Sequence, residues 1–558
     1  MIMIGRGRRV PAAALILVVG GAVTAQQKPA PSVTYQHILA GLKDSSNWLT
    51  FSGDYTGQRH SPLEQISARN VTGLLPQWVF QTEIQGFPGR GIETTPIVFD
   101  GVMYVTGNNN QAFALDARTG KRLWEYQHRL PANFSTFVCC GPVNRGFAIL
   151  GDRLYMGTLD SHLVSLDRKT GSVIWDVPVG ELTMAQPITL APLLVKDKVI
   201  VGVAGGDFAS RGFIDAYNVE TGERAWRFSV VPGAGEPGFE TWPNAEAASR
   251  GGGSAWVTGT YDPALNLVYF GTGNPNPDYY GDDRLGDNLY TCSIVALDAD
   301  TGKLRWHYQF TPHDLHDWDS NHVPVLADLP IGGQTRKVVM MANRNGFFYT
   351  LDRESGKLLV GKRYIDNSNW SKEIGADGRP VVIDNVGTPD KCLPDTRGGT
   401  NFQPPSYDPA RRLFFVTAHE TCVVWESTKP TPPIAMGRRV PSGGPRRVPN
   451  REQYAALRAI DPATGERRWE HRYRSYPSEI TLDLTGGIMS TASGLVFTGD
   501  NDGFFYAFDA ATGKELWRYQ AGAPLWGSAP ISYMLDGRQW VVVPSGLSLM
   551  AFALPKAP

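Results

Sequence analysis

The chain has 558 residues, 42% of them hydrophobic, enough for a large buried core and, on length alone, roughly two to four domains. Its 53 basic residues nearly cancel its 54 acidic ones. That balance leaves no electrostatic footprint for a nucleic acid or an anionic membrane surface, and points to a small-molecule substrate.

The N-terminus comes first in chain order. Arginines at 6, 8 and 9 precede an apolar run from Val10 to Val23, followed by small residues up to Ala25. Basic, then apolar, then small is the order of a secretory leader, here residues 1–25. The run falls short of the roughly 18 to 20 apolar residues of a membrane span, although an uncleaved anchor is the competing reading. Residues 26–558 are then expected to be one exported, soluble, periplasmic domain. Export places the thiols in an oxidising compartment. Cys139 and Cys140 can close on each other there, Cys392 and Cys422 can staple a loop, and Cys292 is left over. Neighbouring Cα atoms lie about 3.8 Å apart, below the roughly 4.4–6.8 Å usual for a disulfide, so a bond between residues 139 and 140 must distort the peptide joining them. No C-x-x-C-H occurs, so no haem is attached and no cytochrome c domain is expected; electrons, if handled, leave to a separate acceptor.

One phrase then recurs along the chain, as in "ALDARTGKRLW", "ALDADTGKLRW" and "AFDAATGKELW". Seven copies pair Asp116 with Trp124, Asp167 with Trp175, Asn218 with Trp226, Asp298 with Trp306, Asp352 with Val360, Asp461 with Trp469 and Asp509 with Trp517. "LPQWVF" around Trp78 reads as an eighth whose turn is missing. D-x-x-T-G supplies an Asx cap and a left-handed glycine between two runs of alternating apolar residues, which predicts strand, tight turn, strand. Where no insertion intervenes the copies lie 46 to 54 residues apart, the length of one four-stranded blade. The expected fold is all-β: an eight-bladed β-propeller of four-stranded antiparallel blades, with the repeated tryptophans packed between blades. Wider gaps of 80 residues before Trp306 and 109 before Trp469 mark insertions, which in a propeller collect on one rim.

The unusual residues fall between the copies: Glu93, Cys139, Cys140, Arg145, Thr189, Asp207, Trp256, Asn274, Asp317, Asp319, Arg344 and Asn401. They belong to different blades, and a ring directs such loops toward a common axis.

At this point the sequence resembles a known family. "NWLTFSGDYTGQRHSPLEQI", "CCGPVNRG", "GGGSAW" followed by "GTGNP", and "TPHDLHDWD", in that order from about residue 45 to 553, are similar to the pyrroloquinoline quinone (PQQ) dependent alcohol dehydrogenases, the methanol and ethanol dehydrogenase family. The resemblance implies a vicinal disulfide Cys139–Cys140 over one face of the quinone and Trp256 under the other, a rigid slot for a planar group. It implies further cofactor contacts from Glu93, Arg145, Thr189, Ala204, Gly205, Ser254, Arg344 and Asn401. Arg145 is the forked cation a carboxylate prefers, and Arg344 would favour negative charge developing on a carbonyl oxygen. Asp207, Asn274 and Asp317 match the family's metal ligands, hard oxygens suited to calcium-like ions. Asp317 is the expected base toward the alcohol. Asp319 stands where lanthanide enzymes of the family carry an additional carboxylate, so the expected ion is Ca2+ or a lanthanide; a turn cap is the alternative role for this residue. An alcohol is the expected substrate and a cytochrome c the expected acceptor, and pairing as a homodimer is compatible with this reading.

Three departures from the family pattern stand out. Asp207 occupies a position where Glu is usual, Thr485 one where Trp is usual, and Phe402 follows Asn401 where Trp is common. They imply a remodelled pocket. The competing class is a noncatalytic propeller of the same repeat serving as a cell-envelope scaffold, which has no need of the paired cysteines, Trp256, Asn274 or the Asp317 loop; a further alternative is a quinoprotein relative that no longer holds the quinone.

Overall fold

The computed structural model describes residues 1–2, 31–82, 91–383, 391–473, 485–527 and 529–556. Apart from its first two residues, the leader read over 1–25 lies outside them. From Val33 onward the chain is one compact unit. Among the described residues no helix is long and apolar enough to cross a membrane.

Eight blade sheets follow one another, seven of them four-stranded and antiparallel and the seventh in order carrying a fifth, parallel strand, His60–Ser61, at its edge. The first blade is built from Ile97–Phe99, Val102–Thr106, Gln111–Asp116 and Arg122–Gln127. Six more occupy 148–178, 193–229, 260–309, 325–363, 406–472 and 489–520. The eighth takes three strands from the far end of the chain, Ile531–Leu535, Arg538–Ser545 and Ser548–Ala553, and its fourth from Leu75–Gln81. Leu75 pairs with Ala553 and Gln81 with Ser548, so one antiparallel ladder closes the ring. This accounts for the missing turn beside Trp78: third and fourth strands of this blade come from opposite ends of the sequence, and no turn joins them.

The repeated phrase folds as its chemistry predicts. In each copy the Asp or Asn oxygen caps the turn; Asp116 Oδ1 accepts from the backbone N–H of Arg118 at 2.9 Å and of Thr119 at 3.0 Å. The turn glycine lies at φ of about +70°, where a side chain is disfavoured. Against it sits the tryptophan of the preceding blade, except in the sixth blade, where Gly465 meets Val360 and Lys362. A Cβ on Gly356 would come within 2.5 Å of the Trp306 ring, and one on Gly302 within 2.4 Å of Trp226. The indole N–H then donates across the blade boundary, Trp306 Nε1 to the Arg353 carbonyl at 3.2 Å and Trp226 Nε1 to that of Ala299 at 3.1 Å. Trp517 faces the turnless eighth blade and instead meets Phe552 edge-on at 5.8 Å. First strands are mostly buried, fully so in Ile97–Phe99, whereas fourth strands alternate toward solvent, as in Arg122–Gln127.

Because the strands alternate in direction, the repeated turns all lie at one end of the ring. Loops entering each first strand, and those joining second to third strands, lie at the other. Both large insertions are at that second end. The one in the sixth blade forms a hairpin, Val423–Ser427 with Gly443–Arg447, stapled at its base by the disulfide Cys392–Cys422.

Trp306→Ala should destabilise the protein by about 3–5 kcal/mol, the usual cost of emptying a buried aromatic site. Gly356→Ala should also destabilise it, by about 1–3 kcal/mol, through strain in the turn. Denaturant unfolding of both variants measures this.

Candidate active site

At the loop-bearing end a cavity of about 380 Å3 opens, within the range of small-molecule sites. Every residue singled out as cofactor or metal contact borders it: Glu93 before the first blade, Cys139, Cys140 and Arg145 before the second, Thr189, Ala204, Gly205 and Asp207 around the third, Ser254, Trp256 and Asn274 around the fourth, Asp317, Asp319 and Arg344 around the fifth, and Asn401 before the sixth. The sequence places these groups up to 308 residues apart, Glu93 to Asn401, and only ring closure brings them together.

Cys139 and Cys140 form the vicinal disulfide, with Cα atoms 3.7 Å apart, at the exposed edge of the cavity. An Asp207 carboxylate oxygen lies within 4.8 Å of both sulfurs. Trp256 borders the same space, its ring edge-on to Phe402 at 5.6 Å. The Arg145 guanidinium lies against both rings, 4.9 Å from Trp256 and 4.7 Å from Phe402, and forms a buried pair with Glu93 at 2.5 Å. Phe402 thus supplies the aromatic wall at a position where Trp is common, and Trp526, 5.8 Å beyond it, continues that wall. Thr485 is buried off the cavity.

Asp319 ties three loops together. Its Oδ2 accepts from Trp256 Nε1 at 2.9 Å and pairs with Arg344 Nη2 at 3.0 Å, while its Oδ1 accepts from the Asn274 backbone N–H at 2.7 Å. All three donors are distant in sequence, so Asp319 faces the site and does not cap its own turn. Arg344 also donates to the Asp317 carbonyl at 2.7 Å, the Thr396 carbonyl at 2.9 Å and Asn401 Oδ1 at 2.9 Å, and stands 3.6 Å from the Asp317 carboxylate. This grip holds Asp317 in a left-handed backbone conformation, φ 57°, uncommon outside glycine.

Electrostatics single out the same corner. Desolvation, reinforced by the charge of Asp207, raises the Asp317 carboxyl well above the ordinary carboxylate range, with Arg344 opposing. Asp207 is raised by desolvation and Asp319, against Arg439. Asp278, fully buried behind the wall, is raised by desolvation and by Asp207. Clustered carboxylates with this mutual repulsion are a site that a cation relieves. The donors present are carboxylate and amide oxygens, the chemistry of a hard ion. The slot edged by the disulfide and indole, with Arg145 and Arg344 beside it, likewise fits a planar polycarboxylate.

Several lining residues escaped sequence reasoning. Arg397 and Arg439 border the cavity, as do Tyr279 and Trp526. Arg439 comes from the sixth-blade insertion, which reaches the third blade through Gly437 N–H to the Ala209 carbonyl at 2.7 Å and Ala209 N–H to the Arg438 carbonyl at 2.9 Å. Nothing periodic marks these positions; only the "NPNPDYY" run beside Asn274 offered a signal for Asp278 and Tyr279.

A closed eight-bladed ring with a vicinal disulfide, an indole and an acidic corner around one cavity defines a quinoprotein-type propeller. Comparison with known proteins agrees. The family model described as PQQ, glucose/ethanol/alcohol dehydrogenase, beta-propeller domain, matches residues 48–381 and 387–541. The quinoprotein alcohol dehydrogenase PedH of Pseudomonas putida is 38% identical over 572 residues, covering 97% of this chain and 93% of that one. A quinoprotein ethanol dehydrogenase of Pseudomonas putida is 35% identical, covering 95% and 90%. Among solved structures, the quinohemoprotein alcohol dehydrogenase ADHIIG of Pseudomonas putida superposes with a TM-score of 0.86 at 34% identity, covering 94% and 83%. A europium-containing methanol dehydrogenase does so at 0.85 and 31%, covering 93% and 100%. The chain belongs to the PQQ-dependent alcohol dehydrogenases.

In denaturant, one thiol per chain, Cys292, should react with a thiol reagent, rising to five after reduction.

Proposed function

We propose that this chain is an exported, periplasmic enzyme that oxidises an alcohol to an aldehyde or ketone with PQQ and a bound Ca2+ or lanthanide ion, and passes electrons to a separate acceptor such as a cytochrome c. The observation that carries this reading is the meeting of the disulfide, Trp256, Arg344 and the aspartates in one cavity. The basic-apolar-small order at the N-terminus supports export, and the lack of a C-x-x-C-H sequence supports an external acceptor.

The cofactor's planar body would rest between the disulfide and Trp256, with Arg145, Thr189, Ser254 and Asn401 serving its polar edge. Asp207, Asn274, Asp317 and Asp319 would hold the ion, and their three carboxylates favour the trivalent lanthanide. When bound, the quinone supplies the acceptor for the hydride leaving the alcohol carbon, and the ion supplies Lewis acidity beside it. The protein's own part is positioning and proton handling. Arg344 presents a guanidinium where negative charge develops, and by holding the Asp317 carbonyl it fixes the base. Asp317, in its ionised form, accepts the hydroxyl proton. Phe402 and Trp526 narrow the approach, and their apolar faces suit the carbon chain of the substrate.

The test is reconstitution of the purified chain with PQQ and Ca2+ or La3+, followed by dye reduction over a panel of alcohols. Asp317→Ala should lower kcat by about 10²–10⁴ while PQQ absorbance on the protein persists, and Asp377→Ala at the surface should leave it unchanged. Failure to take up PQQ with either ion would overturn the proposal in favour of a scaffold or an empty relative.

Ion uptake should weaken as pH falls. The raised carboxyls of Asp317, Asp207 and Asp278 reprotonate at higher pH than ordinary ones and must lose those protons to make room for a cation. Metal titrations across the pH range below neutrality would show this loss beginning above the ordinary carboxylate range.

A further inference from the structure

The Asn274 side chain has one orientation that its surroundings permit. Its Nδ2 donates to Asp278 Oδ1 at 2.8 Å and to the Pro275 carbonyl at 3.2 Å, so both amide protons meet acceptors. With Asp278 ionised, turning the amide over would set its carbonyl oxygen against a carboxylate and a carbonyl, with no proton between them. The amide is therefore pinned, and Oδ1 looks the opposite way, toward Gly206, where a Cβ would lie 2.6 Å from it. Among the described residues no hydrogen bond reaches this oxygen, and Asn274 borders the cavity next to Asp207.

Asp278 does not border the cavity; it is 2% exposed and sits behind Asn274. Asn276 Nδ2 donates to the same Asp278 oxygen at 3.3 Å, and buried Arg284 holds the adjoining Pro277 carbonyl through Nε at 3.1 Å and Nη2 at 2.9 Å. The carboxylate is thus built into a fixed loop; among the described residues its hydrogen bond to a cavity-lining side chain is the one from Asn274, while Asp207 and Arg439 reach it only as charges.

We propose that Asp278 is a positioning residue for the ion site: its carboxylate holds the Asn274 amide so that the carbonyl oxygen, a neutral hard donor, is presented to the cation. This rests on the ion-binding reading given above. Groups that orient a ligand from behind typically contribute tenfold to a hundredfold in metal affinity.

The test measures affinity directly, on PQQ-loaded protein titrated with Tb3+ by sensitised luminescence and with Ca2+ by calorimetry. Asp278→Ala, which leaves the amide free to rotate, should weaken both ions by about 10- to 100-fold. Asp278→Asn keeps an oxygen for Asn274 Nδ2 and should restore most of that affinity. In an Asn274→Ala background, Asp278→Ala should have little further effect. Equal losses in the Asn and Ala variants would overturn the orienting role in favour of bare charge. Wild-type affinity in Asp278→Ala would overturn it outright while leaving the proposed function standing. Absence of ion uptake by the unmutated chain would sink both. Unchanged melting of Asp278→Asn excludes unfolding as the cause of any loss.

Discussion

A propeller can gather distant loops only while its first and last blades are joined, and here that junction is the ladder between Leu75–Gln81 and Ser548–Ala553. Its six Cα partners hold together two segments at opposite ends of the chain. Backbone hydrogen bonds in the ladder and the inward face of Leu75–Gln81, Trp78 and Phe80, hold the ends, and the tryptophan-on-glycine contacts then set the angle from blade to blade. Remove the junction and the loops carrying Glu93 and Trp526 no longer share a cavity wall. The chemistry is thus a property of the closed ring and of no single blade.

Within that frame the site is an arrangement of charges that would repel one another if left alone. Asp207, Asp317 and Asp319 come from loops around two blades, with Asp278 behind them, and Arg344 stands among them with Arg439 opposite. Asp319 is the knot: two oxygens, three donors, three loops. Such a group cannot move without releasing the indole, the asparagine backbone and the arginine together. Rigidity of this kind is what holding a flat cofactor and a cation in register requires.

The sequence announced the blades because every copy repeats the same local physics: an Asx-capped turn, a left-handed glycine and, eight residues after the Asp or Asn, an aromatic in all but one copy, where Val360 stands. The rim residues were legible through their type and order, Cys139 beside Cys140 above all. Trp78 without its turn looked like an imperfect repeat and is instead the signature of closure. Arg439, Arg397 and Trp526 were not legible, since what places them is the path of non-repeating loops across the ring. Asp278 was missed for a different reason: it acts from behind a ligand, and a buried carboxylate in a proline-rich loop has no spacing that distinguishes it from a turn residue. The shortened Asp207 and the Phe402 wall were visible as substitutions, but only the packing of Phe402 against Arg145 and Trp526 shows what occupies the space.

The repeated turns lie at one end of the ring and the reactive loops at the other. Mutational drift in the loops can therefore alter which alcohols are admitted without disturbing the contacts that set blade spacing, and replacements in the turns can change heat tolerance without touching turnover. The two selective pressures act on separate addresses in the chain, which leaves the architecture free to diversify.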